Sequence, residues 1–371
     1  MKLFEYAAKE LFARHGIPVP PGRAVASPQE ARSAAAAVGA AVAVKSQILA
    51  GGRGKAGGIR FAATPDEAAA VAGELLGTEV RGYRVEKVLV EKKLSIDREF
   101  YLGFAVDGGL RRPVAIFSTE GGVNIEDVPE RLIARAAVDP AWGLRTYAAR
   151  DLCTRAGLSG ALPAKIADVA SRLYRAFAAS DATLAEINPL VVCGDALVAA
   201  DARMSVDDDA LYRHPELPRF VEGTPLELKV KELGLAFVEL DGDIAVMANG
   251  AGVTMAVIDV LQRMGGRAAN FLDAGGGAGV EPTAQAIEVL LSTRPRAVLI
   301  NIFGGITRCD DVAAAILKVR EEHGIPAPLV VRLSGTNEAE GVAMLKQAGM
   351  DAFHGMEEAA ARAVALARGE G

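Results

Sequence analysis

A chain of 371 residues can bury a large core and is too long for one ordinary domain, so two or three are expected. With 51% hydrophobic and 24% charged residues it has an ordinary α/β balance, and a formal net charge of −6 argues against nucleic acid or an anionic membrane as partner. No apolar stretch approaches the roughly 20 residues that cross a bilayer. Met1–Tyr6 lacks a signal-peptide core, and the widely spaced Cys153, Cys193 and Cys309 support neither disulfides nor a zinc site, so a reduced, cytoplasmic setting is expected.

Along the chain, Ser27-Pro28-Gln29-Glu30 opens a helix with a capping box and proline at the first helical position, and Gly39 closes it. Val42–Lys45 and Ile59–Ala62 then read as strands around Ala50-Gly51-Gly52-Arg53-Gly54-Lys55-Ala56-Gly57-Gly58. Glycines let a backbone close on a ligand and turn its N–H groups inward, and Arg53 and Lys55 add charge that polyphosphate would neutralise. The formal G-x-G-x-x-G at Gly52, Gly54 and Gly57 is not a dinucleotide fingerprint, because a strand and not a helix follows. No P-loop frame fits either. The stretch reads as a hairpin lid over a nucleotide's phosphates or, on the loop alone, as a plain surface hairpin. Lys45, at the end of the strand entering it, is placed to reach phosphate oxygens.

A second capped helix runs from Thr64 to Gly77, followed by strands at Val88–Glu91, Arg98–Val106 and Pro113–Phe117. In the second of these Phe100, Leu102 and Phe104 share one face and Glu99 lies on the other. Glu91 and Glu99 could accept hydrogen bonds from a base or a ribose, but solvated strand glutamates are the plainer reading. Helices are expected over 145–156 and 163–178. Gly194-Asp195 is a two-residue hairpin signal that pairs Cys193 with Ala196, and so sets Asn188 opposite Asp201 and Glu186 opposite Arg203. An amide oxygen beside a carboxylate suits Mg²⁺, or it forms an ordinary cross-strand hydrogen bond. Glu186 fits an ion pair or a catalytic carboxylate equally.

Between 207 and 223 the chain turns polar, which places a domain boundary near 225 to 240 and divides the protein into 1–230 and 231–371. Beyond it, Ile244–Ala248, Ala268–Leu272, Ala297–Phe303 and Leu329–Leu333, with a weak fifth strand at Asp351–His354, alternate with helices. This pattern predicts an open parallel sheet covered on both faces. Three strand ends are glycine-rich: Asn249–Gly252, Asp273–Gly279 and Gly304-Gly305-Ile306-Thr307. Strand carboxyl ends and helix N-termini favour an anionic ligand there, although glycines also serve tight turns. Thr307 with Asp310 fits an N-cap and its capping acid. His15, His214, His323 and His354 all lie outside these loops, so a covalent phosphoryl carrier would have to come from another chain.

Leu3-Phe4-Glu5-Tyr6-Ala7-Ala8-Lys9, the loop 50–58, Ser118–Gly122, Glu186-Ile187-Asn188-Pro189-Leu190, Asn249–Gly252, Asn301–Ile306 with Arg308-Cys309-Asp310, and Val331–Leu333 together resemble the β subunit of succinate–CoA ligase, in order over essentially the whole chain. The resemblance implies an α/β protein: an α+β ATP-grasp domain followed by a flavodoxin-like CoA-ligase domain. It implies ATP/ADP or GTP/GDP as substrate, with Lys45, Gly52, Arg53, Gly54, Glu91, Leu94 and Glu99 on the nucleotide, and Asn188 and Asp201 on Mg²⁺. Asn249 and Gly305-Ile306-Thr307 would hold succinate. Glu186 would assist a phosphohistidine borne by an α partner, in an αβ or α2β2 assembly whose α subunit binds most of CoA. Thr307 stands where valine is common, Ala202-Arg203 where a lysine usually follows, and Ser334 where an acid is frequent. A malate–CoA ligase β subunit, a self-contained ATP-grasp carboxylate–amine ligase and a non-catalytic subunit are the alternatives.

Overall fold

A computed structural model describes residues 1–220 and 223–370, in two compact units, Met1–Phe220 and Val221–Gly371. This junction lies inside the polar stretch 207–223, ten residues before the expected division at 230, and the capped helix Pro225–Glu232 belongs to the second unit.

The first unit opens with α1 (Glu5–Arg14), β1 (Gly22–Val25), α2 (Pro28–Val38), β2 (Val42–Ser46), β3 (Ile59–Ala62) and α3 (Pro65–Leu75). The caps work as the sequence requires: the side chains of Ser27 and Thr64 accept from the backbone of Glu30 and Glu67. Short strands β4 (Glu79–Val80) and β5 (Tyr83–Arg84) lead to β6 (Val88–Lys92). The antiparallel order is β1-β6-β2-β3, and α2 and α3 pack Ala31, Ala35, Ala68 and Ala72 onto Val42, Val44, Val88 and Val90.

A second antiparallel sheet follows: β7 (Arg98–Asp107), β8 (Arg112–Ser118), β9 (Ile133–Ala137), then α4 (Thr146–Arg155), α5 (Leu162–Ala179), β10 (Ala182–Cys193), β11 (Ala196–Ala199) and β12 (Arg203–Val206). Its order is β11-β10-β7-β8-β9, with β12 also on β10. Phe100, Leu102 and Phe104 are fully buried against α1, α4 and α5, and the Phe104 ring meets Tyr174 edge-on at 5.5 Å. The one-face pattern read from the sequence is therefore the core stripe.

The second unit runs α6 (Pro225–Glu232), β13 (Ala236–Glu239), β14 (Ile244–Ala248), α7 (Ala251–Arg263), β15 (Asn270–Asp273), α8 (Val280–Ser292), β16 (Ala297–Gly304), α9 (Cys309–Glu322), β17 (Leu329–Gly335), α10 (Glu338–Gln347), β18 (Ala352–Phe353) and α11 (Met356–Ala367). The sheet order is β13-β15-β14-β16-β17-β18. Counting the five parallel strands in chain order gives 2-1-3-4-5, the flavodoxin-like doubly wound order, and β13 adds an antiparallel edge. Residues 245, 247, 298 and 300 face one helical layer and 244, 246, 297 and 299 the other. Both faces are covered, so most buried positions of these strands are apolar. Cys153 and Cys309 are buried, Cys193 is partly exposed, and all three are free thiols.

Candidate nucleotide and acid sites

Strand β10 carries the first site. Leu190 pairs with Ala199 and Glu186 with Arg203, so one register spans the gap between β11 and β12 and leaves Asp201 opposite Asn188. On its other side β10 slips register against β7 between Ile187 and Leu190, at the cis Asn188-Pro189 bond. Glu186, Asn188, Asp201 and Arg203 line one cavity together with Gly51, Gly52, Arg53, Glu5 and Glu126.

The glycine-rich stretch joins β2 to β3 as a hairpin, with Lys45 opposite Ile59. Its arginine is folded inward. Arg53 is only 7% exposed, donates to the Ser46 carbonyl, and grips both oxygens of Asp201 at 2.9 and 3.0 Å. Behind it lies a buried group of six charges. Glu5 accepts Lys9 at 2.8 Å, Lys45 at 2.9 Å and Arg53 at 2.9 Å, and Glu91 binds Lys9 at 2.6 Å and Lys45 at 2.7 Å. The Ala200 carbonyl accepts from both lysines. Lys9, Lys45 and Arg53 thus balance Glu5, Glu91 and Asp201, the condition under which buried charge is tolerable. Burial alone would raise the Glu5 carboxyl pKa, but Arg53, Lys45 and Lys9 hold it well below the usual range. The same burial would lower the Lys45 ammonium, and Glu5, Glu91 and Asp201 hold it above its ordinary value instead.

Glu91 is accordingly not a solvated strand glutamate: at 2% exposure it is locked between two lysines. Sequence reasoning passed over Glu5 and Lys9 as functional candidates. Their i,i+4 spacing is that of an ordinary amphipathic helix pair, and only the fold turns that face onto Lys45.

Glu186 accepts the Tyr101 hydroxyl at 3.3 Å. Tyr101 reaches it across Gly103, the residue paired with Glu186, where a Cβ would sit 2.8 Å from the Tyr101 oxygen. Burial pushes the Glu186 carboxyl up; Arg203 and Tyr101 draw it down, while Asp201 and Glu126 add to the rise. Asn188 is held by its amide: Oδ1 accepts from the Gly122 backbone and Nδ2 donates to the Val123 carbonyl, both at 2.8 Å. Glu99 reaches the same turn, one carboxylate oxygen lying 2.5 Å from where a Cβ on Gly122 would be. Gly54 is exposed on the hairpin, and Leu94, half-buried, follows β6; neither borders the cavity.

In the second unit, Asn249 follows β14 and Gly305-Ile306-Thr307 follows β16, the two strands that flank the switch point of the sheet. The Asn249 side chain exchanges two hydrogen bonds of 2.8 Å with the Phe303 backbone, tying the two strand ends together. Thr307 is not the N-cap of α9. That place falls to Arg308, and buried Thr307 instead accepts the Gly277 amide at 3.0 Å, bracing the neighbouring glycine loop. Asp310 is taken by Arg308 and Asn337 and does not close a capping box. Ile306 is 82% exposed at the turn.

An ATP-grasp domain matches residues 2–192 and a CoA-ligase domain residues 247–366. With the sheets just described they define a nucleotide-dependent CoA ligase chain. It is 47% identical over 382 residues to the succinate–CoA ligase (ADP-forming) subunit beta of Rubrobacter xylanophilus, covering 100% of both. It is 45% identical over 378 residues to the GDP-forming subunit beta of Thermus thermophilus, again covering 100% of both. The chain belongs to the succinate–CoA ligase beta-subunit family. ATP citrate lyase from Methanothrix soehngenii, solved in complex with citrate and coenzyme A, shares the fold with a TM-score of 0.73 at 21% identity, over 100% of this chain and 99% of that one. No helix among the described residues is long and apolar enough to cross a membrane.

Proposed function

We propose that this chain is the nucleotide- and acid-binding subunit of a succinate–CoA ligase. With an α partner it would interconvert succinate, CoA and nucleoside triphosphate with succinyl-CoA, nucleoside diphosphate and phosphate. The carrying observation is the single cavity that gathers the lid arginine, Arg53, with Glu186, Asn188 and Asp201.

The first unit is assigned the nucleotide and the second the dicarboxylic acid. Lys45, Gly52, Arg53 and Gly54 would hold the phosphates, and Glu91, Leu94 and Glu99 would serve the nucleoside side. The Asn188 amide oxygen and the Asp201 carboxylate are hard oxygen donors on one wall, and fit Mg²⁺ once Arg53 yields Asp201. Bound Mg²⁺ would neutralise the phosphate charge during transfer. Glu186, steadied by Tyr101, would orient the partner's histidine as it receives or returns the phosphoryl group. Asn249 and the 305–307 turn would hold succinate by backbone and amide groups, with the Thr307 hydroxyl bracing the site from behind.

The test is to purify the chain with its α partner and assay acyl-CoA formation from succinate and from malate, with ATP and with GTP. Succinyl-CoA formation is expected. Malyl-CoA alone would transfer the reading to a malate–CoA ligase, and activity without a partner chain, or no acyl-CoA from any dicarboxylate, would defeat it.

A further inference from the structure

The phosphate cations of the nucleotide reading are already saturated inside the chain. Glu5 alone touches both of them, Lys45 and Arg53, at 2.9 Å, and Lys9 besides at 2.8 Å. Its side chain is 1% exposed, while that of Asp201, the other anion on Arg53, is 31% exposed. A metal ion can therefore draw Asp201 away, but Glu5 has no such exit. Its helix is fixed by Ala7, Ala8, Leu11 and Phe12, all in the core of the first unit. Arg53 meets Glu5 through one guanidinium nitrogen and Asp201 through the other.

We infer that Glu5 is a positioning residue that occupies the place of a phosphate oxygen, holding Lys45 and Arg53 in register and competing permanently with nucleotide for their charge. It rests on the nucleotide reading of this cavity. Because the six charges sum to zero, an incoming polyphosphate gains net attraction only as far as Arg53 turns from its carboxylates toward the ligand. Glu5 thus keeps the empty site assembled and limits how tightly a diphosphate product is held.

Glu5→Gln keeps the shape and removes the charge. In the full chain, titration with Mg-ADP is expected to show about tenfold tighter binding than wild type, within the usual range of a coupling between two ligands. In the complex with the α partner, the KM for nucleotide should fall together with kcat as product release slows; loss of a merely structural residue would raise KM or leave it unchanged. The doubly substituted Glu5→Gln/Lys9→Met chain keeps the remaining charges balanced, guarding against misfolding, and should also bind Mg-ADP more tightly. Equal or weaker binding by both folded variants would overturn the inference, as would failure of both to fold, since Glu5 would then be structural only. If the wild-type chain itself bound no Mg-ADP, the nucleotide reading would be what fails.

Discussion

Lys9→Met tests the buried charge cluster most directly. The substitution keeps an unbranched apolar chain but removes a cation held by Glu5 at 2.8 Å, Glu91 at 2.6 Å and the Ala200 carbonyl at 2.8 Å. The cluster then carries one uncompensated negative charge, in a place where every remaining partner except Asp201 is nearly sealed from water. Removing one member of a buried pair costs about 3–5 kcal/mol, whereas exposed pairs contribute little. Urea denaturation of the full chain would be followed by far-UV circular dichroism and by fluorescence of the single tryptophan, Trp142, which reports the first unit. The first-unit transition should lose ~3–5 kcal/mol, while Lys318→Met, which breaks a surface pair with Glu281, should cause no measurable loss. Lys9→Met/Glu91→Gln restores the charge balance, so its cost should be smaller than the sum of the two single costs. A Lys9→Met loss below ~1 kcal/mol, or strict additivity in the double variant, would refute cooperative neutralisation.

Three further outcomes are expected. Tyr101→Phe removes the hydroxyl on Glu186 and should lower kcat about tenfold at unchanged nucleotide KM, the size of one hydrogen bond to a charged group; Gly103→Ala, which drives a methyl into Tyr101, should reproduce it, and normal turnover in both would remove Tyr101 from the mechanism. Since the folded Glu5 carboxyl lies well below its ordinary 4.5, its stabilisation is complete above that value and declines as pH falls toward the folded pKa. Acid titration of stability should therefore be shallower below pH 4.5 for Glu5→Gln than for wild type, and parallel curves would contradict the ion pairing. Gly335 has φ +112°, and a Cβ there would overlap the Gly304 carbonyl oxygen of the neighbouring strand; Gly335→Ala should cost the second unit upwards of ~2 kcal/mol, read as lost amide-exchange protection in β16 and β17. Unchanged protection would show that the strand end gives way freely.

The sequence carried the second unit almost whole, because buried parallel strands are apolar runs and their helices have clear stripes. It missed β13, where Ala236-Phe237-Val238-Glu239 is too short and too mixed in polarity to stand apart from the polar stretch before it. The Gly194-Asp195 turn settled register because a two-residue hairpin leaves no slack, and Glu186 does pair with Arg203. What stayed hidden were partners decided in three dimensions. Glu5, Glu91 and Lys45 come from separate elements, and nothing local distinguishes a strand glutamate in water from one between two lysines. Thr307 misled for the opposite reason: its spacing to Asp310 satisfies a local capping pattern, but the Gly277 amide takes its hydroxyl first.

Cys309 opens α9, a location that ordinarily makes sulfur acidic and nucleophilic. Here burial, with Glu338 and Asp310, pushes the thiol up against the opposing pull of the Ser334 backbone and Arg332. Burial raises Cys153 to about 12, and burial with Asp97 raises Cys193. At neutral pH the thiols of the folded chain are therefore held protonated, and alkylation should be slow and confined to the partly exposed Cys193.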